Sequence, residues 1–351
     1  MMMLTVEEVA KLAAGRPLGD SRARCEGVFT DSREPRPGAL FVALCGPRFD
    51  GHDHVGGALD GGARAAMVRS DSAGRWPGAN LVLVDDTLDA LQRLAGGWRD
   101  RLDLRVVGVT GSNGKTSTKE MCLAVLRAGY RASATRANLN NHIGVPLTLL
   151  ELGTGDQFGV IEMGMNHAGE IEPLARLAQP DIGIVTNIGR AHIEFLGSRE
   201  AIAVEKGALL RSLPAGGMAI VPADCEFRST LECNVEAGIL SAGIDCGEVM
   251  ATGLRPDDDG TRCEVVFGGE SAACRVPLPG RHMVGNAMLA VTAGVIAGIP
   301  LAECCRALGE MVISEGRLKR RVVAGVVFLD DSYNANPESM TAALEVLGNA
   351  P

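Results

Sequence analysis

The run Arg105-Val-Val-Gly-Val-Thr-Gly-Ser-Asn-Gly-Lys-Thr-Ser-Thr-Lys119 decides how the rest of the chain is read. It opens on an apolar stretch that reads as a strand, passes through a glycine-bearing turn and enters a helical pattern from Lys119 to Leu126. Strand, turn and helix in that order are the context of a phosphate-binding loop. Glycines let backbone N–H groups point inward at phosphate oxygens, and the helix start adds its positive dipole end. Lys115 then neutralises β/γ charge, and the Thr116 hydroxyl can hold Mg²⁺. The strict G-x-x-x-x-G-K-[ST] spacing is not kept, because Val109 stands in the place of the first glycine, so Gly111 and Gly114 make the tight turns. Gly111, Ser112, Asn113, Gly114, Lys115 and Thr116 are the expected phosphate contacts, with Lys115 also acting in catalysis. A glycine-rich turn with an incidental lysine is the plain alternative; the strand, the GKT triplet and the helix together weigh against it.

Around this loop the chain alternates strand and helix patterns, the signature of an α/β fold with a parallel sheet. Strands are expected at Arg105 to Thr110, Arg131 to Thr135, Phe158 to Glu162, Ile182 to Thr186 and Met218 to Val221, with a β-hairpin excursion from Arg255 to Gly269. Before it lies a smaller α/β region, with strands at Ala39 to Leu44, Ala65 to Val68 and Leu81 to Val84 and a helix near His54 to Gly61. Thr87 to Leu102 reads as a connecting helix. After Gly316 come one strand, Val326 to Leu329, and one helix, Pro337 to Leu347, before Pro351. One strand and one helix enclose no core, so this third region is expected to be the incomplete start of a domain, and turnover by this chain is expected to be poor. The expected division is 1–86, 87–314 and 315–351.

With 46% hydrophobic and 22% charged residues the composition is that of a soluble globular chain, and 351 residues exceed one ordinary core. A net charge of −9 excludes a protein that coats nucleic acid, which needs a surplus of Lys and Arg on one face. The ten cysteines contain no C-x-x-C pair and read as reduced core residues rather than a metal or disulfide framework. Met1 to Ala14 reads as an amphipathic helix with a Thr5/Glu8 capping box and no signal-peptide pattern, so a cytoplasmic location is expected. The apolar run Met283 to Leu301 is interrupted by Asn286, Thr292 and glycines and reads as a buried helix, not a membrane span.

Ligands in α/β folds gather at the carboxyl edge of the sheet. Glu162 ends one strand there, and Asn187 and His192 follow the next, so Glu162 and His192 are candidate metal ligands. Lys206 in Glu205-Lys206-Gly207, read alone, is an ordinary helical lysine.

Several further strings join these. They are Asn138-Leu-Asn140-Asn141-His-Ile-Gly144-Val-Pro146-Leu-Thr-Leu-Leu; Asp31-Ser32-Arg33 with Pro37-Gly38; Leu40-Phe41-Val42-Ala43-Leu44; Phe49-Asp50-Gly51-His52-Asp53; Pro279-Gly280-Arg281-His282 with Asn286-Ala287; and Asp330-Asp331-Ser332-Tyr333-Asn334-Ala335-Asn336-Pro337. In this order, over essentially the whole chain, they resemble the Mur ligase family. The asparagine-rich string is similar to that of its D-alanyl-D-alanine-adding member. The resemblance implies a small UDP-binding α/β domain, a central ATPase domain and a Rossmann-like C-terminal domain. It further implies an ATP- and Mg²⁺-dependent acid–amino-acid ligase acting as a monomer on UDP-N-acetylmuramoyl-tripeptide and D-alanyl-D-alanine in peptidoglycan synthesis. Asn286, Arg317, Tyr333, Asn334 and Asn336 are then implied at the nucleotide, and Ser32, Arg33, Asp50, Gly51, His52, Asn138, Asn140, Asn141 and Asn187 at the substrate. Lys206 is implied to be carbamylated by CO₂ and, with Glu162 and His192, to hold a Mg²⁺ distinct from the one on Thr116; catalysis would rest on Lys115, His192 and Lys206. Met283 departs from the family pattern, which has Asn there. A sibling ligase and a folylpolyglutamate synthetase fit the N-L-N-N-x-I-G-V-P and S-Y-N-A-N-P strings poorly. A non-catalytic nucleotide- and UDP-sugar-binding module is the rival of another class.

Overall fold

The structure, a computed structural model, describes residues 1–257, 259–312, 316–324 and 326–348. It divides into two compact units. One comprises Met1–Leu104 with Arg136–Asp156, the other Arg105–Thr135 with the described part of Gln157–Pro351.

The first unit is built on a five-stranded sheet in the order Arg16–Leu18, Leu81–Val84, Ala65–Arg69, Leu40–Val42, Val28–Phe29. All neighbours are parallel except the Arg16–Leu18 edge. The central strands are buried except at Arg69, the last residue of one of them, as strands covered on both faces must be. One face packs Phe29, Phe41, Val55, Leu81 and Leu83 into a core. The capping box is present, Glu8 N–H donating to Thr5 Oγ1 at 3.2 Å and Thr5 N–H to Glu8 Oε2 at 2.9 Å. The N-terminal helix is shorter than expected, however: Met3–Thr5 pairs as a strand with Arg24–Glu26, and the helix spans only Val6–Leu12. A 3-10 turn over Gly51–His54 precedes the short helix Val55–Asp60. The segment 136–156 returns to this unit because Trp98 Nε1, on the helix Thr87–Arg99, donates to Leu152 O at 3.0 Å, and Met2 N–H to Leu150 O at 2.8 Å.

The second unit holds a nine-stranded sheet. Its order is Ala132–Ala134, Phe158–Glu162, Arg105–Thr110, Ile182–Val185, Met218–Pro222, Gly238–Ile244, Val249–Asp257, Gly260–Phe267, Glu270–Val276. The first seven run parallel and the last three form an antiparallel meander, wider than the expected hairpin. The strand Gly238–Ile244 escaped sequence reading because its Gly, Ala and Ser carry little β signal. Strand order reverses at Arg105–Thr110, whose two neighbours come later in the chain and lie on opposite sides, and such switch points open a crevice at the strands' carboxyl ends. Val109 is paired with Glu162 and Thr110 with Val185, so the ends of three strands are level there.

Val107, Val109, Val160 and Ile184 pack under the helices Lys115–Leu126 and Arg281–Ile296. The apolar run Met283 to Leu301 is two helices, because Gly298 turns at φ +90° and Pro300 precedes the second, Leu301–Gly309. The hairpin Lys319–Val323/Val326–Asp330 and the helix Pro337–Gly348 leave Val322, Val326, Phe328 and Leu344 exposed. Among the described residues no helix is long and apolar enough to cross a membrane.

Candidate active site

The phosphate loop leaves its strand at Thr110 and enters its helix at Lys115, one turn earlier than the sequence pattern indicates. Gly111 and Gly114 are required by close packing. A Cβ on Gly111 would lie 1.8 Å from Thr186 Oγ1, and one on Gly114 would lie 2.6 Å from Asn286 Nδ2 at φ +77°. The loop is stapled to the end of the next strand. Thr186 Oγ1 and Asn187 Nδ2 both donate to Asn113 O, at 2.6 and 2.9 Å. Asn113 N–H donates to Asn187 Oδ1 at 3.0 Å, Ser112 N–H to Asn187 O at 3.1 Å, and Gly189 N–H to Ser112 Oγ at 2.9 Å. Asn187, expected at the substrate, is placed as a brace of the loop.

Lys115 curls over the loop, its ammonium donating to Gly111 O at 2.8 Å and Ser112 O at 3.2 Å. Burial lowers its pKa, Glu162 opposes the shift and Arg317 adds to it. Glu162 ends its strand with 2% of its surface exposed, its N–H donating to Thr135 Oγ1 at 3.0 Å. His192 takes a left-handed conformation, φ +65°, which a non-glycine residue adopts only where its surroundings hold it there. Its pKa is depressed by burial and by Lys206 and Lys115. Lys206 is 1% exposed, and burial first, then Lys115, holds its pKa well below the ordinary lysine value while Glu205 opposes. Lys115 thus lies in the field of Glu162, and His192 and Lys206 in that of Lys115: the four groups singled out from sequence share one electrostatic neighbourhood.

Thr116 Oγ1 accepts from Arg317 Nη2 at 3.1 Å, and the Arg317 guanidinium lies 4.0 Å from the centre of the Tyr333 ring. Asn336 Nδ2 donates to Asn113 Oδ1 at 2.5 Å, whereas Asn334 Oδ1 accepts from the neighbouring Ala335 N–H. Asn286 is buried beside Gly114, and Met283 is buried with Sδ 3.9 Å from Asn286 Nδ2. Sequence reading missed Lys119, Glu205 and Glu338. The first is fully buried and donates to Thr135 O at 2.7 Å. Glu338 accepts from Asn113 Nδ2 at 3.1 Å and Arg190 N–H at 2.8 Å. A lysine three positions after the GKT threonine reads as solvent-facing unless the opposite face is known to be covered.

The remaining candidates lie in the first unit. Ser32 is half-buried, while Arg33 is exposed and clamped by Asp31, Nη2 to Oδ2 at 2.6 Å, which lowers the Asp31 pKa to about 2. His52 is 1% exposed, and its Nε2 accepts Arg69 N–H at 3.0 Å, so the ring proton sits on Nδ1 and is donated to Asp50 Oδ1 at 2.6 Å. Cys45 Sγ also approaches Asp50 Oδ1, at 3.2 Å. Cys45, Asp50 and His52 are close enough to frame a metal. With both ring nitrogens engaged, His52 instead orders the turn at Gly51. Asn141 Oδ1 accepts from Ile143 and Gly144 N–H and so starts the helix Gly144–Glu151; Asn138 is exposed and Asn140 half-buried in the turn before it.

Residues 109–294 match the Mur ligase middle domain, and residues 24–99 match the domain described as Mur ligase family, catalytic domain. A Bacillus subtilis protein named UDP-N-acetylmuramoyl-tripeptide--D-alanyl-D-alanine ligase is 36% identical over 99% of this chain and 76% of its own length. The chain belongs to the Mur ligase family. A crystal structure of MurF from Acinetobacter baumannii superposes with a TM-score of 0.92 at 33% identity, covering 100% of this chain and 78% of that one. MurF ligase from Thermotoga maritima, solved in complex with ADP, gives a TM-score of 0.81 at 29% identity, covering 93% of this chain and 75% of that one. The α/β Mur ligase fold expected from the sequence is the one observed, and the chain spans about three quarters of the length of these relatives.

Proposed function

We propose that this protein joins D-alanyl-D-alanine to UDP-N-acetylmuramoyl-tripeptide, using ATP, through an acyl phosphate. The observation that carries the reading is the shared neighbourhood of Lys115, Glu162, His192 and Lys206 at the switch point of a Mur ligase sheet. The phosphates of ATP take the donors of Gly111 to Thr116, and Lys115 leaves its loop carbonyls for the β/γ oxygens. Asn286 and Arg317 flank the nucleotide, as do Tyr333, Asn334 and Asn336.

Mg²⁺ prefers oxygen: the Thr116 hydroxyl would hold one ion, and the oxygens of Glu162 and of a carbamylated Lys206, with a ring nitrogen of His192 beside them, would hold another. Ions held there would supply charge that offsets the repulsion between the substrate carboxylate and the γ-phosphate. The tripeptide carboxylate attacks the γ-phosphorus and ADP departs. The amine of D-alanyl-D-alanine then attacks the acyl carbon, phosphate leaves, and the amine surrenders its proton. Positioning supplies most of the rate. We assign this work to the cytoplasm, where ATP is supplied, and to a single copy of the chain.

The direct test supplies ATP, Mg²⁺, the UDP-tripeptide and D-alanyl-D-alanine, with product read by mass spectrometry. Product and phosphate release should require all four. Equal phosphate release without the dipeptide, or better use of a single amino acid, would sink the reading.

The UDP moiety is assigned to the first unit, at Ser32, Arg33 and Asp50 to His52, with Asn138, Asn140 and Asn141 toward the rest of the substrate. An exposed guanidinium fits diphosphate oxygens with two parallel donors. Arg33→Ala should therefore weaken UDP-tripeptide binding roughly tenfold while leaving ATP affinity alone. Titration calorimetry on the full chain reads both.

A further inference from the structure

Helix Ile171–Ala178 begins without a side-chain cap of its own, since Glu170 at its start makes no capping bond. Its first amides are satisfied from another element. Glu205, 8% exposed on helix Arg199–Arg211, accepts Gly169 N–H through Oε2 and Ile171 N–H through Oε1, both at 2.8 Å. A buried carboxylate taking two backbone donors at the positive end of a helix is a strong and directional contact.

The segment it grips is the one that descends from Glu162 through Met163 to Glu170, and the next residue on its own helix is Lys206. Consecutive helical residues point about 100° apart. Glu205 therefore faces the capped helix while Lys206 faces the charged neighbourhood of Lys115 and His192. One side chain thus joins the element carrying Lys206 to the chain segment carrying Glu162.

We propose that Glu205 is a positioning residue for catalysis, holding the Glu162 segment and the Lys206 helix at the spacing their shared ion requires. This rests on the reading of Glu162 and Lys206 as partners at that ion. An amide in place of the carboxylate turns one acceptor into a donor facing an N–H group, so Glu205→Gln should break one of the two bonds without emptying the space; Glu205→Asp keeps both acceptors one methylene short.

The experiment compares wild type, Glu205→Gln, Glu205→Asp and Lys206→Ala as full chains. Hydrogen exchange is read at Gly169 and Ile171, ATP affinity by calorimetry, and the Mg²⁺ concentration for half-maximal ligation at saturating ATP. Expected for Glu205→Gln are faster exchange at those amides, ATP affinity within about twofold, and a Mg²⁺ requirement raised about ten- to a hundredfold, the usual reach of groups that orient metal ligands. Glu205→Asp should lie between. Lost protection with an unchanged Mg²⁺ requirement in both variants overturns the proposal, as does retained protection in Glu205→Gln. If Lys206→Ala ligates normally, the reading of the site falls and the proposal with it; if Lys206→Ala is inactive and the Glu205 variants are silent, only the proposal falls.

Discussion

Lys115→Ala is expected to abolish measurable ATP binding by the full chain in titration calorimetry. The side chain already sits over the loop, bonded to Gly111 O and Ser112 O, so its ammonium needs only to swing to reach a phosphate. Contacts to charged groups contribute about 1.5–3 kcal/mol each. Two lost phosphate contacts therefore amount to a weakening of roughly a hundredfold to ten-thousandfold, taking about 1.4 kcal/mol per factor of ten. A competing effect runs the other way, since burial makes the cation costly to keep and its removal relieves Lys206 and His192 of a neighbouring charge. That relief acts on the empty protein, whereas the lost attraction acts on the complex with a polyanion, so the loss of binding prevails. Lys115→Arg, which keeps the charge on a bulkier fork, should retain partial affinity. Unchanged affinity in Lys115→Ala would remove the phosphate loop from the mechanism.

Lys206→Ala is expected to lose ligation by about a hundredfold or more while still binding ATP, because the charge stabilisation a metal supplies is worth several kcal/mol. The sign follows from the environment. Burial and Lys115 lower the pKa, so the neutral amine, the form that attacks CO₂, is populated at lower pH than for an exposed lysine. The attack forms an N–C bond and releases one proton, leaving a carbamate whose oxygens can bind Mg²⁺ where an ammonium cannot. A short carboxylic acid added to Lys206→Ala should restore part of the activity by standing in for those oxygens. Thermal melting of the variant separates this from misfolding, since the alanine removes a buried charge and leaves a space, two effects of opposite sign on stability. Carbon-13 CO₂ should label the wild-type protein and not the variant; a wild type that ligates without a carbamate resonance would refute the chemistry assigned to Lys206.

What the sequence by itself determined is local or periodic. Gly111, Gly114, Lys115 and Thr116 were legible because a strand, a turn and a helix start lie in consecutive residues and each obeys its own rule. Glu162 was legible as the last residue of one strand and His192 as a residue in the loop after the next, which the parallel pattern sends to one edge. What only the tertiary structure decided depends on residues far apart in the chain. Glu205 grips amides 34 and 36 positions away, and Asn336 meets Asn113 across 223 positions. The burial of Lys119 and Lys206 comes from packing by other elements, and a buried ammonium differs from an exposed one only in what surrounds it. At His52 the order of the turn likewise depends on a distant residue, because Arg69, 17 residues on, donates to its second nitrogen. Its identity is written in the chain; its tautomer is set by a neighbour that folding alone brings.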